Sequence, residues 1–253
     1  MGRHNLKFGA AIATLASLFA MASVAVAHAD VFTFTSTGQS VGMTAPAGSH
    51  VLTYDEAGQT APTPNGPGVA ALSPVSGGGV TAVFSGNGGV VNGSVSDVNL
   101  APQTGPSTQD TTNYLTVALN SGGSGSETVN ITSGGPFKNL GLYWGSIDTY
   151  NTITFLGASG PIGTITGTDV LNKLFGNTSS SGNNANSQYI EFTDTTGQDI
   201  TGITLSTDQA AFESDNLSVA NGVPEPATWG MMLIGFGLVG LQLRRRTVKE
   251  VTC

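Results

Sequence analysis

The sequence predicts an all-β protein, an antiparallel β-sandwich or jelly-roll-like body with one short helix, framed by an N-terminal signal helix and a C-terminal transmembrane helix. Three observations carry this prediction. Apolar residues in the body alternate with polar ones, the period of a half-buried strand, in short Val-, Ile-, Thr- and Phe-rich runs. Gly, Asn, Pro or Ser separates one run from the next. Helical spacing of apolar residues occurs only once before the tail.

The strand runs, in order, are VFTFTST (Val31–Thr37), VLTY, GVTAVF, NYLTVAL, ETVNI, KNLGLYWGS, NTITFLG, GTITG, QYIEFTD and ITGITLST. Strands this numerous at near-regular spacing read as a single sandwich domain. The helical patch is TDVLNKLFG, with Thr168 as cap, Val170, Leu171, Leu174 and Phe175 on one face, and Gly176 as terminator. Ala57–Gly68, Ala101–Asn113 and Gly176–Gln188 carry loop composition.

Two terminal segments differ from this body. Residues 1–29 place Arg3 and Lys7 before an apolar run that ends in Ala27-His28-Ala29, the layout of a cleaved secretory signal, so the exported chain is expected to begin at Asp30. Residues 223–253 hold Pro224-Glu225-Pro226, a nearly uncharged run from Trp229 to Leu243, and Arg244-Arg245-Arg246. Fifteen helical residues span about 22 Å, short of the ~30 Å hydrocarbon core. The arginines, with Lys249, hold their end on the cytoplasmic side, and Trp229 suits the opposite interface. Gly235, Gly237 and Gly240 leave a face open to close approach by another helix. The two prolines keep the preceding segment extended, as a cleavage segment must be.

Only 9% of residues are charged, against roughly 25% in ordinary proteins, so amides and hydroxyls keep this chain soluble. Six of its eight basic residues lie in the two terminal segments, leaving Lys138 and Lys173 in the body against fourteen acids, a formal −12. Nucleic acid is not an expected partner, because phosphate binding needs clustered cations. The lone Cys253 lies beyond the arginines, so the exported body is expected to rely on packing and not on disulfides.

The tail resembles the PEP-CTERM sorting signal of Gram-negative bacteria, close to its PEPxxWA variant. The residues that carry the likeness are Pro224, Glu225, Pro226, Trp229, the Met231-Met232-Leu233 run, Gly235, Gly237 and Arg244 to Arg246. Gly230 departs from the Ala usual after the Trp. The resemblance covers about thirty residues and implies an exosortase, a membrane transpeptidase that cleaves near Pro-Glu-Pro, as partner. It also implies passage through the cytoplasmic membrane and delivery to the cell surface, outer membrane or exopolysaccharide matrix. GLYWGSIDTYNTITF with AAFESDNLSVA is similar, more weakly, to the β-sandwich bodies of exosortase-dependent surface proteins, which implies fold and not activity.

Within the body, no catalytic set stands out. His50 is the one histidine outside the expected signal, with Asp55 and Glu56 nearby in sequence. With fourteen acids some carboxylate pair is inevitable. Leu140, Leu142 and Trp144 should share one strand face with Tyr143 on the other, and Tyr143 or Tyr150 could offer a sugar platform. A regular strand would put Asp215 on the face of Leu217 and Val219, where it must be hydrogen-bonded, exposed or bound to a cation such as calcium. No EF-hand spacing and no phosphate-cradling glycine loop is present. The leading expectation is a non-enzymatic surface or matrix protein with no cofactor. A carbohydrate-binding module is the alternative, and a secreted polysaccharide-acting enzyme the third reading.

Overall fold

A computed structural model describes residues 32–38, 45–56, 63–66, 68–70, 73–105, 107–118, 123–221 and 232–241. The strands are β1 (Phe32–Gly38), β2 (His50–Leu52), β3 (Val69–Ala70), β4 (Val75–Gly77), β5 (Val80–Gly86), β6 (Gly88–Asn92), β7 (Gln103–Gly105) and β8 (Thr108–Gln109). They continue with β9 (Asn113–Val117), β10 (Gly125–Ile131), β11 (Asn139–Gly145), β12 (Asn151–Gly157) and β13 (Gly160–Thr166). After helix α1 (Gly167–Phe175) come β14 (Gln188–Asp194), β15 (Gly202–Thr207) and β16 (Phe212–Ala220).

Two antiparallel sheets face each other. The first runs β1, β14, β11, β16, β9, β6, β3, with β2 also on β16; the second runs β13, β12, β15, β10, β5, β4. Alternation sets the inner face of each. In β12 every second residue is buried, which sends Ile153 and Phe155 inward. Phe155 of the second sheet stacks on Phe32 at 3.9 Å between centroids and meets Phe192 edge-on at 5.2 Å, both from the first sheet. Burial of each such side chain contributes about 1.5–3 kcal/mol.

The outward face of the second sheet carries hydroxyls in place of charges. Cross-strand register sets Ser85 opposite Thr128, Thr128 opposite Thr204, Thr204 opposite Thr154 and Thr154 opposite Thr164. A row of hydroxyls therefore takes the place that Lys and Glu occupy on most sheets. The first sheet differs, because its central strands are buried on both faces. Leu140, Leu142 and Trp144 of β11 join the core, and Trp144 stacks on Phe212 at 4.7 Å. Tyr143 points the other way and is buried as well, because the 101–113 segment, expected as plain loop, forms the β7–β8 ribbon over it.

Helix α1 is where the sequence predicts it, two residues earlier at its cap. Thr166, not Thr168, caps it: the Thr166 side chain accepts from the Asp169 N–H while Asp169 reaches back to the Thr166 N–H. Val170 and Leu171 are buried, Leu174 and Phe175 pack against the core, and Gly176 ends the helix at φ 74°.

The core runs from Phe32 to Val219, and every side chain of the separate helix at 232–241 is exposed. The body therefore folds on its own contacts. The expected signal at residues 1–29 lies outside the described residues. Among the described residues no helix is long and apolar enough to cross a membrane; the tail helix is described for ten residues, about 15 Å.

Candidate functional site

Two regions hold the residues singled out by the sequence. In the tail, Met232, Leu233, Ile234, Phe236, Leu238, Val239 and Leu241 are exposed apolar side chains. A Cβ added at Gly235, Gly237 or Gly240 would meet nothing within 4 Å, so that helix face is open. Pro224, Glu225, Pro226, Trp229 and Arg244 to Arg246 lie outside the described residues.

In the body, the outer face of the first sheet carries a buried polar layer. Its origin is a bulge in β16. Up to Asp215 the strand alternates, with Ser214 opposite Trp144 and Asp215 opposite Tyr143. Asn216 then adopts φ 47°, the register shifts, and Val219 falls opposite Leu140 on the core side. The regular-strand expectation for Asp215 is thereby corrected: it shares the face of Tyr143 and Glu213, opposite to Leu217 and Val219.

There Asp215 is 1% exposed and accepts from the Asn216 N–H at 2.6 Å. It also lies within hydrogen-bonding reach of Asp110, whose own Oδ2 is buried with no donor among the described residues. Burial, reinforced by the nearby Asp110 carboxylate, raises Asp215 well above the ordinary carboxylate range. Among the described residues, no group of three or more His, Cys, Asp or Glu converges as metal ligands would. Tyr143 is fully buried and donates to the Gln103 carbonyl, so it offers no platform to a sugar, contrary to its expected role. His50 does not join Asp55 and Glu56 as a triad: its Nδ1 sits 2.7 Å from the Gly78 carbonyl, while Asp55 accepts from the Asn113 N–H and Glu56 from the Thr53 N–H.

Tyr150 occupies a different setting. At one end of the sandwich, residues 94–100, the 146–150 turn, Gly182 and the 210–213 segment enclose a cavity of about 340 Å³. Glu213 lies at its base, 2% exposed, with Oε1 accepting from the Leu100 N–H and Oε2 from Ser146 Oγ, both at 2.9 Å. Asp148, also buried, accepts from Ser181 Oγ at 3.3 Å and lies within reach of the half-buried Tyr150 hydroxyl. Burial pushes Asp148 up to about 6; burial, with the charge of Asp148 adding to it, pushes Glu213 up to about 7. The sequence did not single out Asp148 as a cavity residue or Glu213 at all.

Comparison with known proteins bears on the tail. Residues 222–246 match the PEP-CTERM protein-sorting motif. No curated protein matches the chain. The match spans the Pro-Glu-Pro, the apolar helix with its open glycine face and the three arginines, the parts that set this segment apart from the body. The chain thus carries a PEP-CTERM sorting motif in its tail, which supports export, processing by an exosortase and sorting to the cell surface.

Proposed function

We propose that the protein is a non-enzymatic structural component of the cell surface or extracellular matrix, associated with exopolysaccharide after an exosortase has removed its tail. The observation that carries this reading is the sorting motif at residues 222–246 attached to a body whose core, among the described residues, takes nothing from the tail. Cleavage near Pro-Glu-Pro then leaves the sandwich intact. Before cleavage the tail holds the protein in the cytoplasmic membrane with the body outside.

The body supports a scaffold role through its uncharged hydroxyl face and close-packed core, which give a stable exported domain without disulfides. Mass spectrometry of the mature protein from its native host should find the residues after Pro-Glu-Pro missing. Recovery of an intact C-terminal Cys253 from the surface form would overturn the reading. An enzymatic role has a direct test in hydrolysis of exopolysaccharide by residues 30–222, for which no turnover is expected.

A further inference from the structure

The cavity at the end of the sandwich is not used by the sorting function, and its chemistry narrows what it can hold. Asp97, Asp148 and Glu213 line it, and no Lys, Arg or His does. The two lysines of the body are engaged elsewhere: Lys138 Nζ is 2.6 Å from Asp199, and Lys173 Nζ lies 4.0 Å over the Phe34 ring. An anionic ligand would therefore meet acidic side chains and no cation to pair with. A metal ion fares no better, because Glu213 has both oxygens occupied by donors and no third ligand converges with the two acids among the described residues.

What remains is an uncharged molecule with both polar and apolar surface. The half-buried Tyr150 ring, with Ala210 and Ala211 beside it and Val95 and Val98 across the opening, supplies apolar contact. The Tyr150 hydroxyl donates to the Ala210 carbonyl at 3.4 Å and its oxygen can still accept, the Asp148 carboxyl adds acceptor capacity, and Ser94 and Ser96 add hydroxyls to the lining. Sugar rings present this combination, an apolar C–H face bounded by hydroxyls that donate and accept. At about 340 Å³ the space lies near the lower end of ligand-site volumes of roughly 300–1,000 Å³, which suits a mono- or disaccharide or the end of a chain.

We propose that this cavity binds an uncharged saccharide, with Tyr150 as its apolar wall and Asp148 as its hydrogen-bonding partner. The proposal rests on the sorting reading only for where the protein meets such a ligand. A failed titration would leave the processing of the tail untouched, just as an unprocessed tail would leave the cavity's chemistry unchanged.

The test uses residues 30–222, whose core is complete without the tail. Saturation-transfer NMR and calorimetry would screen glucose, galactose, mannose, N-acetylglucosamine, cellobiose and maltose, with glucuronate as the anionic counterpart and calcium chloride as a cation control. At least one neutral sugar should bind saturably and glucuronate at least about tenfold more weakly, equivalent to ~1.4 kcal/mol. Tyr150→Ala should abolish binding. Because that change also removes packing, Ser96→Trp provides a second test: Ser96 is exposed at the rim, so an indole there blocks the opening without entering the core. Its melting temperature should match the parent while sugar binding is lost. The proposal is overturned if no neutral sugar binds at tens of millimolar, if binding survives Ser96→Trp, or if glucuronate or calcium is the species held.

Discussion

Raising the pH from about 5 to about 8 should destabilise this protein, the reverse of ordinary acid denaturation. Glu213 carries most of the effect. It is buried beneath residues 94–100, and its carboxyl is pushed from an ordinary value of 4.5 up to about 7 by burial, which the Leu100 N–H and the Ser146 hydroxyl only partly offset. The folded state thus holds this proton more tightly than the unfolded chain does. Stability from this group is fully present below about pH 4.5 and is lost as the pH rises through about 7. At ~1.36 kcal/mol per pH unit, the loss is about 3 kcal/mol. Asp148, raised from 3.8 to about 6, and Asp215, raised well above its ordinary value, act in the same sense, and Asp148 and Glu213 are coupled, so their effects do not simply add. For a body of this size, ~3 kcal/mol corresponds to a fall in melting temperature of about 6–12 °C. Circular dichroism melts of residues 30–222 at constant ionic strength would measure it. Glu213→Gln keeps an acceptor for Leu100 and removes the charge, so it should flatten the profile and raise the melting temperature at pH 8. A melting temperature that is level or rising between pH 5 and pH 8 would refute the account.

Four further outcomes are expected. Gly167→Ala should cost at least ~1–3 kcal/mol in urea unfolding, because its Cβ would stand 1.8 Å from the Asp148 carbonyl oxygen, a backbone atom that cannot swing away. Thr166→Ala should cost about 1 kcal/mol by removing the α1 cap, whereas Thr168→Ala should cost much less. Calcium held at Asp215 is the expectation that the sequence raises. That reading predicts a melting temperature at pH 8 raised by excess calcium and lowered by chelator, by about 2.7 kcal/mol at a hundredfold excess over Kd; indifference to both would eliminate a structural calcium site. Pro224→Ala with Pro226→Ala should leave full-length protein in the cytoplasmic membrane on fractionation and immunoblot in the native host, because the segment gains freedom to bend into helix. Normal size and surface delivery of that double variant would reduce the tail to a plain anchor.

Alternation made the strands of the second sheet legible because each has one face on the core and one on solvent, whereas β9, β11 and β16, buried on both faces, were legible by their Val, Leu, Tyr and Phe content. The runs NTITFLG and GVTAVF coincide with β12 and β5 for that reason. Residues 69–70, 75–77, 88–92, 103–105 and 108–109 carried no such signal. They are short or glycine-bearing, and they become strands through hydrogen bonds to a neighbour, as Gly88–Asn92 does along β9. The helix cap was displaced for a similar local reason. Thr166 and Thr168 both precede the apolar face, and only Thr166 has an acid three residues on, Asp169, to close a capping box.

The functional residues divide along the same line. The sorting signal is legible because an enzyme must read it as a contiguous segment, so its information lies in one stretch of sequence. The cavity is not, since Tyr150, Asp148 and Glu213 meet only after β16 has paired with β11, β12 with β15, and residues 94–100 have come over them. A single bulged residue governs the arrangement. Without the turn of Asn216 to φ 47°, strand parity would carry either Asp215 and Glu213 or Leu217 and Val219 to the wrong side of the first sheet. The same strand thus gives its second half to the core and its first half to a polar layer, which is how a chain with few charges places two of them where water does not reach.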